Sequence, residues 1–198
     1  MTTYLPYLPV ILALLCALLN LVRRQWIANM IFLALQYLAV FIILLGVRNP
    51  GAAVIKLLVG WMVTLVIYIS LLNTGKLEKK TWMSRPTAGE VFRFFAGLLV
   101  IALTASLGEG LRAEIFPATS RAIFLTSASL MLIALLQLGM KEEVLYTIIG
   151  LMTFMSGFEL LYASLELSAL LEAFFVAVNL GLALIGAYFI VNAQEGAS

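Results

Sequence analysis

Seven runs of mainly apolar residues follow one another with little polar chain between them: 5–22, 26–46, 51–73, 92–108, 120–138, 144–165 and 168–192. A helix that crosses bilayer hydrocarbon needs roughly 20 such residues, and it must satisfy its backbone polar groups within itself. The chain has 198 residues, 64% of them hydrophobic and 11% charged, a balance that a soluble domain does not have. These runs predict an all-α, polytopic transmembrane bundle of about seven spans. The first run is followed by Arg23 and Arg24 and has no basic residues before it, so it reads as a retained span and not as a cleaved signal.

The connections fix an expected orientation. Leaving out Lys56, which lies inside a run, one side carries eight basic residues: Arg23, Arg24, Lys76, Lys79, Lys80, Arg85, Arg93 and Lys141. The other side carries three: Arg48, Arg112 and Arg121. Basic residues stay with the cytoplasmic loops, so the N-terminus is expected outside and the C-terminus inside, in a plasma (inner) membrane. Tyr4, Trp26 and Trp82 fall near the expected interfaces. A repeat is also visible. Ala53-Val54-Ile55-Lys56-Leu57-Leu58-Val59 resembles Ala169-Leu170-Leu171-Glu172-Ala173-Phe174-Phe175-Val176 in pattern. The chain would then divide into a three-helix unit at 1–73, a loop, connecting helix and outer loop at 74–119, and a second three-helix unit at 120–198. Leu/Val/Ala-rich helices also resemble one another by composition alone, so both readings stay open.

Composition removes most chemistry. The chain has no His, no Asp and one Cys, Cys16. That leaves no disulfide framework, no Cys-based metal motif and no His-dependent triad. There is no phosphate-cradling glycine loop and no nucleophile elbow. A net charge of +2 gives no basis for nucleic-acid binding. The basic patch Lys76-Leu77-Glu78-Lys79-Lys80 suits acidic headgroups or a peripheral subunit, and it is also what the orientation rule predicts. Glu142 and Glu143 read as a solvated turn, and Glu109, Glu114 and Phe116-Pro117 as an interfacial one.

What remains are charges inside the runs. A carboxylate in hydrocarbon costs several kcal/mol, so Glu159 and Glu172 are expected to be paired, water-accessible or functional. Glu159 lies roughly 22 Å along the sixth run from its start, and Glu172 about one turn into the seventh. A short turn joins these runs, so the two carboxylates are expected at similar depth on antiparallel neighbours. Like charges in a poorly solvated site repel, so such a pair can hold an exchangeable proton. The alternative is that both reach headgroups or water. Lys56, about a turn and a half into the third run, can pair with a carboxylate or snorkel to the interface. Gln36, Thr64 and Asn179 lie near mid-membrane and can support a polar path or bond between helices. Gly150, Gly157, Gly181 and Gly186 can allow close helix approach.

The last three runs resemble the K subunit of complex I and the C-subunit of Mrp-type antiporters over residues 139–192. They are closer still to component E of the group 4 membrane-bound hydrogenases. The resemblance is carried by Lys141, Ile148-Ile149-Gly150-Leu151, Gly157-Phe158-Glu159 and Glu172-Ala173-Phe174-Phe175. Ile55-Lys56-Leu57-Leu58-Val59 and the total length extend it towards the N-terminus. With Gly150 as anchor, the two K-subunit glutamates fall near Met152 or Met155 and near Ala177, whereas Glu172 matches the acidic position of the hydrogenase component. The resemblance implies a membrane subunit of a redox-driven proton- or sodium-translocating assembly, not catalytic alone. It implies antiporter-like membrane partners and no quinone, flavin or iron–sulfur cofactor of its own. Glu159 and Glu172 would be its proton-handling groups, tuned by Lys56. A stand-alone small transporter or channel, and a purely structural subunit, are the other two readings.

Overall fold

The computed structural model describes residues 7–47, 50–74, 87–165 and 168–195, with side chains up to Asn192. Arg48, Asn49, the 76–80 patch, Trp82, Tyr4 and Glu166 lie outside the described residues. Seven helices follow one another: α1 Tyr7–Val22, α2 Trp26–Leu45, α3 Pro50–Asn73, α4 Ala88–Ile115, α5 Arg121–Met140, α6 Val144–Ala163 and α7 Ala169–Glu195. Among the described residues there is no strand. Six helices are long and apolar enough to cross a membrane, and the described part of α1 is a shorter apolar helix of 16 residues. The protein is a membrane-embedded helical bundle.

Helix ends follow local chemistry. Thr87 and Glu90 form a reciprocal capping box that starts α4 at Ala88, four residues before the apolar run begins. At its other end α4 continues through Leu111 to Ile115, so Glu109 and Glu114 sit on helix and the turn is confined to 116–120. The interfacial turn expected over Glu109, Glu114 and Phe116-Pro117 is corrected in this respect. Leu107, Leu111 and Ile115 recur every four residues and keep one face apolar. Arg112 grips Glu109 one turn back, with Nη2 at 2.7 Å, and Arg112 Nη1 donates to the Thr119 carbonyl at 3.0 Å. Ser120 then caps α5 by accepting from the Ile123 amide.

Contacts between turns show that successive helices alternate in direction. At one end Lys141 meets Arg23, and the Trp26 and Tyr68 rings lie 6.1 Å apart. At the other end the Thr119 and Ser164 hydroxyls lie 2.9 Å apart. The first is the Lys141 end of the bundle and the second its Thr119 end.

The helices enclose two apolar cores that share one wall. α2, α3, α7 and α6 pack in a closed ring, and α1, α2, α6 and α5 form a second. The common wall is α2 against α6. Leu33, Tyr37, Val63, Ile67, Ile149 and Met152 fill the first ring, and Ala17, Leu21, Val40, Leu130, Ile133 and Leu160 the second. α4 packs outside on α1 and α5. Each of the first three helices also packs on its counterpart among the last three: α1 on α5, α2 on α6, and α3 on α7.

Close packing of α5 on α6 depends on Gly157. A Cβ there would lie 2.8 Å from the Ser127 carbonyl oxygen and 3.0 Å from Leu130 Cβ, both rigid parts of α5. Gly181, expected to serve the same purpose in α7, has open space around it. A Gly157→Val variant should therefore lose about 1–3 kcal/mol to overpacking. Gly181→Ala should be neutral or stabilising by up to about 1 kcal/mol through helix propensity. Thermal unfolding in detergent checks the pair, and equal midpoints for the two variants would remove the close-packing argument.

Candidate functional site: a buried ion pair in the α2–α3–α7–α6 ring

α6 carries Thr153, Ser156 and Glu159 three residues apart, which puts them on one face. All three are buried, Glu159 with only 9% of its surface exposed. A carboxylate there needs partners, and the ring supplies them from two helices. Lys56 of α3, 8% exposed, forms an ion pair with Glu159 Oε2. Asn179 of α7 donates its amide N–H to Glu159 Oε1. The same Asn179 nitrogen donates to the Phe175 carbonyl at 2.9 Å, which orients the amide. Both carboxylate oxygens are thus held by N–H groups.

Lys56 also lies over the face of Tyr37, with Nζ 5.3 Å from the ring centroid. Tyr37 reaches this position because Gly60 has no side chain. A Cβ on Gly60 would lie 2.4 Å from the Tyr37 ring. The Tyr37 hydroxyl points towards Ser156. Deeper in the ring, Thr153 Oγ1 donates to Gln36 Oε1 at 3.5 Å. Within this cluster the Tyr37 and Ser156 hydroxyls, the Gln36 amide nitrogen and the Asn179 amide oxygen are among the buried groups without a hydrogen-bond partner. In proteins such groups are commonly satisfied by buried water.

A cavity of about 50 Å³ opens beside the ion pair. That is room for about three water molecules. Lys56, Glu159 and Glu172 all contribute to its wall, together with Tyr162, Phe175 and Val176. The Tyr162 and Phe158 rings meet Phe175 edge-on at 5.5 and 5.7 Å. The two glutamates singled out from the sequence therefore face one cavity. Glu172, half-buried, lies in the first turn of α7.

Of the polar residues named from the sequence, Gln36 and Asn179 belong to this cluster. Thr64 does not, because its hydroxyl donates to the Gly60 carbonyl of its own helix at 2.8 Å. Tyr37, Ser156 and Thr153 were not singled out. The three-residue spacing Thr153–Ser156–Glu159 was the available signal. Among the described residues no group of three or more His, Cys, Asp or Glu gathers that could hold a metal.

The Lys141 end holds a second buried cation. α1 ends at Val22 and leaves carbonyls that its own helix does not satisfy. Lys141 Nζ donates to the Asn20 carbonyl at 2.8 Å and to the Arg23 carbonyl at 2.7 Å. Arg93 Nη2 donates to the Val22 carbonyl at 3.3 Å. Lys141 is 2% exposed and sits 4.0 Å from the Tyr146 ring centroid. Glu142 and Glu143 are exposed, so the connecting turn is solvated while its lysine points inward.

Models of known protein families, curated proteins and solved structures were compared with the chain, and none matches it.

Burial pushes the Lys141 ammonium down from 10.5 to about 7, with Arg93 and Arg24 adding to the fall and Glu143 and Glu90 opposing it. A neutral amine still has two N–H groups for its two carbonyls. Between those two values the unfolded chain binds the proton more strongly than the folded one, so folding stability rises with pH from about 7 towards 10.5. The slope is at most about 1.4 kcal/mol per pH unit. Unfolding midpoints in detergent should climb from pH 7 to 9 in the wild type and climb less in Lys141→Met. Parallel profiles for the two proteins would contradict this.

Proposed function

We propose that the chain is an integral membrane subunit of a complex-I-like or membrane-bound-hydrogenase-like assembly. In this reading Glu159, Lys56 and Glu172 handle protons, or sodium ions, whose movement is coupled to redox chemistry elsewhere in the complex. The observation that carries the reading is a membrane-embedded carboxylate held by Lys56 and Asn179 at the wall of a small cavity. Ionisable groups inside membrane helices are costly and mark ion or proton pathways. Water in the cavity would bring a proton to Glu159. Protonation there would release the Lys56 ammonium, and Glu172 is the other carboxylate of the same wall. Tyr37, Ser156, Gln36 and Thr153 extend the polar side chains towards the middle of the bundle.

An assembly is favoured over a lone transporter by where this polar cluster stops. Between Gln36 and the Lys141 end, the ring is filled by Met30, Leu33, Ile67, Ile149 and Met152. A full crossing would need a further route, which neighbouring subunits can supply. The helix-on-counterpart packing of the two triplets favours a second reading, a stand-alone transporter built from two three-helix units. Purification separates the two. Co-purification with large antiporter-like subunits supports the first, and transport by the isolated protein in liposomes supports the second.

Glu159→Gln keeps the shape and can still bond Asn179. It should cut ion pumping to roughly a tenth or less of wild type while the assembly survives. Wild-type pumping by this variant would remove Glu159 from the mechanism. Unchanged coupling in the Glu159→Gln/Glu172→Gln double variant would leave only a structural role.

A further inference from the structure

The reading above leaves the ion open between a proton and sodium. We propose that Lys56 is the residue that decides it: its ammonium occupies the cation position beside Glu159 and excludes alkali-metal ions. This rests on Glu159 being the ion-handling group.

A sodium ion, like other hard cations, is held by oxygen atoms. The groups that touch the Glu159 carboxylate offer the opposite. Oε2 faces the Lys56 ammonium and Oε1 faces the Asn179 N–H. The Asn179 nitrogen is fixed in that role by its second bond, to the Phe175 carbonyl. Lys56 reaches the carboxylate from α3, across the ring from α6, so a cation is already built into the chain. An alkali ion entering a cavity of about 50 Å³ would lie next to that ammonium. Repulsion between unit charges about 4 Å apart weakens binding on the order of a thousandfold at the effective dielectric of protein sites. A proton meets no such barrier, because it adds to the carboxylate oxygen itself and needs no shell of ligands.

The reverse also follows. Without the ammonium, the wall keeps two carboxylates, Glu159 and Glu172, around a space large enough for water. The buried charge on Glu159 would then take a cation from solution. Lys56 therefore both neutralises Glu159 and keeps a sodium or lithium site closed.

Infrared difference spectroscopy on the purified protein reads this directly. The film is perfused alternately with sodium and with an organic cation, and the carboxylate stretching bands are followed. Wild type and Lys56→Arg should show no sodium-induced carboxylate change. Lys56→Gln should show one, and Lys56/Glu159 double substitution to Gln should abolish it. Lys56→Met, closest to lysine in shape, repeats the test should the Gln variant not fold, and the wild-type arm needs no variant. Sodium-induced bands in the wild type that vanish in Glu159→Gln would overturn the assignment of Lys56 while leaving Glu159 as an ion site. Silent spectra from both Lys56→Gln and Lys56→Met would overturn it as well. Undiminished pumping by Glu159→Gln would instead remove the reading on which the proposal rests.

Discussion

Glu159 and Lys56 neutralise one another inside the bundle, where Glu159 is 9% and Lys56 8% exposed. Taking two charges out of water costs several kcal/mol for each, and their attraction offsets this only when the geometry is good and the remaining polar atoms are bonded. Here the second carboxylate oxygen takes the Asn179 N–H, and the ammonium rests on the Tyr37 face. One interaction therefore ties α6 to α3, and its supports come from α7 and α2. These are the four helices of the ring. Breaking such a pair from one side leaves a buried charge uncompensated, so its partners constrain how the ring can pack.

Packing serves the pair in return. Tyr37 lies against α3 only because Gly60 leaves room, and it is among the largest fully buried side chains. The α2–α6 wall stands between this ring and the apolar cluster of the second one. Gly157 brings α6 against α5 on the far side. The other end is fixed by different chemistry. There, Lys141 and Arg93 satisfy the last carbonyls of α1, with positive charge where a helix C-terminus favours it. Two inward-pointing lysines, one near each end, hold the bundle through a carboxylate in one case and backbone carbonyls in the other.

Helix number and most boundaries were legible because hydrocarbon imposes a length on apolar runs. The bounds of α2, α3, α5 and α6 lie within two residues of the runs. α4 departed most, because a capping box and an apolar stripe extend it beyond its most hydrophobic stretch. The intramembrane charges were legible one by one, since Glu or Lys in such runs is conspicuous. Their pairing was not. Whether Lys56 snorkels or turns inward depends on which helix faces α3 across the ring, and sequence spacing does not encode that. Lys141 and Arg93 looked like ordinary interfacial cations, because the α1 carbonyls that draw them in come from a helix more than 70 residues earlier in the chain. Tyr37 was hidden for the same reason: an apolar ring in an apolar helix carries no mark of the ammonium above it.

In the proposed role, the asymmetry of the polar cluster would limit what these four helices can do unaided. Glu159 lies about 6 Å and Glu172 about 4.5 Å along their helices from the Thr119 end, at 1.5 Å per residue. Gln36 and Thr153 extend the polar side chains to mid-helix, and the hydrophobic core beyond them is built from Met30, Leu33, Ile67, Ile149 and Tyr146. Asn29 and Gln137, nearer the Lys141 end, each donate to a backbone carbonyl there, at 3.3 and 2.8 Å. Water reaching the cavity from the Thr119 end would load and unload Glu159 on that side only. Vectorial transport requires the second half of the path to open at a different moment or in a different protein. For the function proposed above, a polar cluster that reaches only as far as Gln36 and Thr153 would suit the second arrangement, with an adjoining subunit completing the route across the membrane.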